Sequence, residues 1–123
     1  DVCSSDLKAS LLVSEAQTIQ GIKVIAKKLE NLDPKLLQTY ADELRNHLVS
    51  GIVVLGLQTA TDKCSILVAL TKDLAGKYHA GHLVAKLAEI IGGKGGGRPD
   101  FAQAGGNKPE NLEEALKQIK TLL

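Results

Sequence analysis

Between residues 33 and 48 apolar side chains return every four positions. Leu36, Tyr40, Leu44 and Leu48, flanked by Leu37 and Ala41, would line one face of a helix. Asp33-Pro34 ahead of them supplies an N-cap and a proline at the first helical position, and Gly51 follows the end. The pattern then changes. Ile52-Val53-Val54-Leu55-Gly56-Leu57 is unbroken apolar, too short for a buried helix and rich in β-branched residues, and it reads as a central strand. Ser65-Ile66-Leu67-Val68-Ala69-Leu70 is a second such run, close enough across the turn Thr61-Asp62-Lys63 to pair antiparallel with the first. Helical periodicity returns over 80–91, with Leu83, Val84, Leu87, Ala88 and Ile91 on one face and Gly92 as a left-handed C-cap. Pro109 opens a last helix, with Glu110, Glu113 and Glu114 near its positive end and Lys117 and Lys120 near its negative end. Its buried stripe is Leu112, Ala115, Leu116 and Ile119. Over 11–29, Gln20-Gly21 with Ile22 and Val24 alternating about Lys23 favours a β-hairpin. A helix through 13–29 is the rival, and Gly21 at its middle would cost it about 1 kcal/mol. The sum is an α/β (α+β) domain, a small mixed sheet of about four to five strands covered by helices, with the strand order unread.

At 123 residues the chain fits one domain, and 44% hydrophobic against 24% charged residues is an ordinary globular balance. Aromatics are only 2%, so the core must be aliphatic. No apolar run approaches the roughly eighteen residues of a membrane span, and a soluble protein is expected. Cys3 and Cys64 are far apart and neither has a neighbour that would make a ligand pair, which suits a reduced, cytosolic setting. The chain opens on Asp1 and holds no Met, so a fragment or processed chain is expected. Residues 1–9 read as a tail, in part foreign to the natural protein, and 10–123 as the domain. Fifteen cations minus fourteen acids gives +1. From 63 to 98, however, six cations (Lys63, Lys72, Lys77, Lys86, Lys94, Arg98) face two acids (Asp73, Glu89), a local +4 of the kind sought on nucleic-acid binders.

The basic segment runs into residues 92–106, which hold seven of the twelve glycines. At about 0.5–1 kcal/mol of folding entropy each, they cost roughly 4–7 kcal/mol together. A flexible spacer would be filled with Ser and Gly, whereas this stretch carries Lys94, Arg98, Pro99, Asp100, Gln103 and the only phenylalanine, Phe101. It reads as an ordered recognition loop. Two nucleotide signatures fail: Lys94 is followed by Gly95 where a phosphate loop needs Ser or Thr, and the third glycine of a dinucleotide fingerprint would fall on Arg98. His79 and His82 could meet on a helix face, but no further ligand is spaced for zinc, and His47 reads as solvent-facing. No Ser or Cys is placed for nucleophilic catalysis. What remains is binding: glycine N–H groups forming an anion nest, Lys94 and Arg98 beside it, Asp100 orienting Arg98, and Gln103 offering its amide to a base edge or a ribose hydroxyl. The alternative has Asp100 and Gln103 capping the loop internally. Phe101 reads as a plug onto the core.

The stretch Gly92-Gly93-Lys94-Gly95-Gly96-Gly97-Arg98-Pro99-Asp100-Phe101-Ala102-Gln103-Ala104-Gly105-Gly106 resembles the signature of the DHHA1 domain at the C-terminus of bacterial alanyl-tRNA synthetases, also called C-Ala. Asp33-Pro34-Lys35-Leu36-Leu37, Thr71-Lys72-Asp73 and Ala80-Gly81-His82-Leu83-Val84 occur in the same order and at similar spacing, so the resemblance covers roughly residues 10 to 123. It implies a DHHA1-like fold and a cytoplasmic, tRNA-binding, non-catalytic part of an alanine–tRNA ligase active in protein biosynthesis. The implied contact is the outer corner of tRNA(Ala), helping one tRNA serve aminoacylation and editing. The class II motifs and the zinc ligands of the editing site are missing, so no cofactor is expected in this domain; ATP, Mg and Zn would belong to other domains of the parent. Carried over position by position, the residues implied to contact RNA are Gly92, Gly93, Lys94, Gly95, Gly96, Gly97, Arg98, Asp100, Gln103, Gly105 and Gly106. Partners would be the tRNA and the remaining synthetase domains, with a homodimer left open and no membrane. Two other readings stay open: a structural domain for subunit or inter-domain association, and the substrate-holding domain of a DHH-type phosphoesterase.

Overall fold

The computed structural model describes residues 17–19, 21–30, 34–48 and 50–122. Strand β1 (Gln17–Ile19) turns at Gly21, whose φ of 81° suits a residue without Cβ, into β2 (Ile22–Glu30). The two pair antiparallel, so 17–30 is the hairpin and not the rival helix. Helix α1 (Pro34–His47) then leads to β3 (Gly51–Ala60), which runs parallel to β2, the arrangement that requires a crossover helix. The Asp33 cap lies outside the described residues. β4 (Lys63–Leu70) folds back antiparallel on β3. After a looped segment come α2 (Ala80–Ile90), β5 (Lys94–Gly97) and β6 (Phe101–Gly106), a 3-10 turn at Pro109–Asn111 and α3 (Leu112–Leu122).

The sheet has six strands in the order β1-β2-β3-β4-β6-β5, one more than the upper end of the expected count. Alternation divides the side chains between two cores. Ile52, Val54, Ile66, Val68, Ala102 and Ala104 face α2 and α3, while Val53, Leu55, Leu57, Leu67 and Ala69 face α1. Burial on both faces is why β3 reads as a continuous apolar run. Gly56 marks a close approach on the α3 side: a Cβ there would stand 2.8 Å from Leu112 Cδ1. Gly51 opens β3 and does not cap α1. Its N–H donates to Thr71 Oγ1 (3.2 Å) and its carbonyl accepts from the Thr71 N–H (3.2 Å), so the one buried polar side chain among the described residues is satisfied.

Helix α2 ends as its sequence indicates. Gly92 has φ 71°, its N–H donates to Glu89 O (3.3 Å), and the Gly93 N–H donates to Ala88 O (2.7 Å), a Schellman arrangement. Pro109 opens the 3-10 turn and not α3 itself. Helix α1 packs mainly over β3 and β4 and reaches β6 only at Phe101, so the α1 side of β5 and of the rest of β6 borders a cleft.

Candidate functional site

Residues 94–106 are not a loop. They form the β5–β6 hairpin, turned through Pro99-Asp100, with the Arg98 N–H donating to Phe101 O at 2.8 Å. Pro99, at the second position of the turn, has the φ that the turn needs. The turn is held from two sides: the Ala80 N–H at the start of α2 donates to Pro99 O (2.9 Å), and the Leu70 N–H at the end of β4 donates to Asp100 O (2.8 Å). β5 is the outer strand and is exposed along its whole length.

Glycine is required here for close approach. A Cβ on Gly95 would meet Ala104 Cβ at 2.1 Å, one on Gly93 would meet Gly105 O at 1.7 Å, and one on Gly97 would meet Phe101 O at 2.8 Å. Over Gly96 there is open space. Among the described glycines only Gly21 and Gly92 have positive φ. Successive amides of an extended strand point to alternate sides, so the anion nest expected from 93–97 does not form. Counting from the bonded Arg98–Phe101 pair, Gly95 and Gly97 direct their N–H and C=O to the open sheet edge.

The residues singled out from sequence divide between the two ends of the hairpin. Gly92, Gly93, Gly105 and Gly106 line a recess of 410 Å³ with Lys63, Cys64, Ser65 and Asn107. Burial pushes the Cys64 thiol above its ordinary pKa, partly countered by hydrogen bonds from the Lys108 and Gly106 backbone. At the other end Gly96, Gly97, Arg98, Asp100, Phe101 and Gln103 form one wall of a 540 Å³ cleft. The opposite wall is α1, through Gln38, Asp42 and Arg45. Lys94 is exposed on β5.

Arg45 joins the two walls. Its guanidinium donates to Asp42 Oδ1 (2.5 Å) and to Leu70 O (3.3 Å), lies 3.9 Å from Asp100 Oδ2, and stands 5.9 Å from the centre of the Phe101 ring. Asp100 therefore faces Arg45, and the expected pairing of Asp100 with Arg98 gives way to this contact. Phe101 packs against the α1-side core, as its reading as a plug required. Arg45 was not found from sequence because it is 55 residues from Asp100, and its spacing three after Asp42 is only an ordinary helix-surface pair. His79 and His82 have ring centroids 5.1 Å apart and are exposed where α2 begins, beside the hairpin turn. No group of three or more His, Cys, Asp or Glu side chains is arranged for a metal among the described residues.

Charge is uneven around this site. Inside the cleft Arg45 and Arg98 offset Asp42 and Asp100. From the segment before α2 to the hairpin turn, residues 74–99 carry four exposed cations, Lys77, Lys86, Lys94 and Arg98, against Glu89 alone, a balance of 4 − 1 = +3.

The profile of the DHHA1 domain matches residues 21–123. The chain belongs to the DHHA1 domain family. Among solved structures, this DHHA1 domain is similar to the C-Ala domain of Aquifex aeolicus alanyl-tRNA synthetase, at 27% identity and a TM-score of 0.82, over 88% of this chain and 96% of that one. It also resembles a DHH-domain protein described as a member of a family of ribosomal proteins, with a TM-score of 0.62 and 16% identity. That likeness covers 97% of this chain but 30% of the other, and it speaks to the fold alone. No helix among the described residues of the DHHA1 domain is long and apolar enough to cross a membrane.

Proposed function

We propose that this domain is the tRNA-binding C-terminal appendage of an alanyl-tRNA synthetase and that it meets the outer corner of tRNA(Ala) with the β5–β6 hairpin. The observation that carries the reading is the exposed Lys94–Gly97 strand running into Arg98, its turn at Pro99-Asp100 held by hydrogen bonds from both α2 and β4. A rigid tip loses little freedom on binding. Lys94 and Arg98 supply phosphate contacts, and the outward amides of Gly95 and Gly97 supply donors that a side chain would screen. The start of α2 adds the positive end of its dipole beside the same tip. In this reading residues 10–123 fold as one unit, the domain works in the cytoplasm with the remaining synthetase domains, and it supports aminoacylation and editing without catalysing either.

Binding of folded tRNA, measured by fluorescence anisotropy against single-stranded DNA of equal length, tests the proposal. The tRNA binds more tightly, and log K falls with log salt at a slope corresponding to about three or four phosphate contacts. Arg98→Ala and Lys94→Ala each weaken binding with the melting temperature nearly unchanged. Equal affinity of both variants and the parent would refute it. The open outer edge of β5 favours a second reading, association with a neighbouring subunit or domain. A concentration-dependent dimer in sedimentation that ignores tRNA would select that reading.

A further inference from the structure

The cleft between α1 and the hairpin differs in chemistry from the cationic ridge beside it. Its charges cancel, two guanidinium groups against two carboxylates, so it is not built for a polyphosphate. Its volume of 540 Å³ lies within the range of small-molecule sites and accommodates one nucleotide. One wall is flat and bare, because nothing stands within 4 Å of where a Gly96 Cβ would be. Beside it the Gln103 side chain, opposite Gly96 in the ladder, brings an amide with both donors and acceptors. Across the cleft lie the Arg45 guanidinium and the half-exposed Asp100 carboxylate, 3.9 Å apart. At that distance the carboxylate keeps acceptor capacity for a ligand.

We propose that this cleft takes a single unstacked guanine nucleotide of the bound RNA. The base lies against the Gly96 backbone, its paired N1–H and N2–H donors meet the Asp100 carboxylate, and its phosphate lies toward Arg98. Guanine is the base whose Watson–Crick edge offers two adjacent donors to one carboxylate. Adenine offers one donor beside an acceptor, and uracil one donor between acceptors. Recognition of splayed-out bases by their Watson–Crick edges is how proteins commonly read RNA sequence. The inference rests on the RNA reading above and adds α1, through Gln38, Asp42 and Arg45, as the second wall.

The test is a titration of the isotope-labelled 123-residue chain with guanosine, adenosine, cytidine and uridine 5′-monophosphates, followed by amide chemical shifts. Guanosine monophosphate saturates shifts at Gly96, Gln103 and Asp42, with millimolar affinity about tenfold tighter than the other three. Asp100→Asn, isosteric but unable to accept both protons, removes the preference. Gly96→Ala, whose methyl enters open space in the folded protein, weakens all four. Equal affinities for the four nucleotides, no saturable shifts, or a preference that survives Asp100→Asn would each overturn the proposal. The two readings fail separately. Loss of guanine selectivity with tRNA binding still dependent on Lys94 and Arg98 removes the cleft alone, whereas selective nucleotide binding without tRNA binding removes the ridge alone.

Discussion

Substituting alanine at two neighbouring glycines separates the two roles assigned to β5. At Gly95 the new methyl would stand 2.1 Å from Ala104 Cβ and 2.7 Å from its Cα, atoms that cannot swing aside because they belong to the paired strand. Overpacking of this kind costs about 1–3 kcal/mol. Replacing glycine returns about 0.4–1 kcal/mol by restricting the unfolded chain. A contact of 2.1 Å with a paired strand belongs in the upper half of that range, so the net is a destabilisation of about 1–2.5 kcal/mol. For a domain of this size one kcal/mol moves Tm by roughly 3–6 °C, so Gly95→Ala lowers Tm by about 3–15 °C. At Gly96 the methyl meets nothing within 4 Å and φ is outside the left-handed region. Only the entropy effect remains, and Gly96→Ala raises Tm by about 1–6 °C. Thermal unfolding followed by circular dichroism reads both. The pairing register would be refuted by an unchanged Tm in Gly95→Ala, or by Gly96→Ala falling as far as Gly95→Ala. Gly96→Ala would nonetheless bind RNA less well, a stable protein with an obstructed cleft.

Further outcomes are expected elsewhere. Leu112 is fully buried against Gly56, so Leu112→Ala lowers the unfolding free energy by about 2–5 kcal/mol in urea titration. The Asp73 carboxyl is held below its ordinary pKa by hydrogen bonds from Ser50 and then Thr71. Its folded pKa is depressed, so its contribution is present above the unfolded pKa near 4 and is lost as pH falls through the folded value. The parent should therefore lose more stability on acidification than Asp73→Asn, measured by Tm across the acid range. Cys64, buried with a raised pKa, reacts with a thiol reagent in a Cys3→Ser background only as fast as the protein opens, and addition of urea accelerates the reaction. Labelling at the rate of a free thiol would contradict its burial in the core on the α2 and α3 side of the sheet.

The helices, the two central strands and the Gly21 hairpin were legible because burial imposes a period, and at these positions few other side chains satisfy it. The C-cap at Gly92 was legible for a local reason, a left-handed residue after a helical stripe. The strands β5 and β6 were not. Their residues are largely glycine and alanine, which carry little strand propensity and no alternation of apolar and polar side chains. They are small because Gly95 and Gly97 lie against Ala104 and Ala102 and let α2 pack close, with Gly97 O only 3.3 Å from a Cβ placed on Gly81. A close-approach requirement and a flexible-loop requirement write the same letters, and the choice between them needs the neighbour's coordinates. The Arg98–Asp100 pairing failed on the same ground. Two charges two residues apart look like partners in a linear reading, but the turn at Pro99 sends Asp100 toward α1 and leaves Arg98 exposed. Arg45, which closes the cleft, belongs to a helix whose own pattern indicates only a surface position.

The central claim, that the hairpin ridge and its α1-side cleft are the RNA-facing surface, is tested most directly by mapping amide chemical-shift changes as folded tRNA is added to the labelled domain. Changes are predicted along Lys94 to Gln103 and across the cleft at Gln38, Asp42 and Arg45, with β1 and the exposed face of α3 unmoved. Saturating tRNA that shifts β1 or α3 and leaves 94–103 at their free positions would contradict the account.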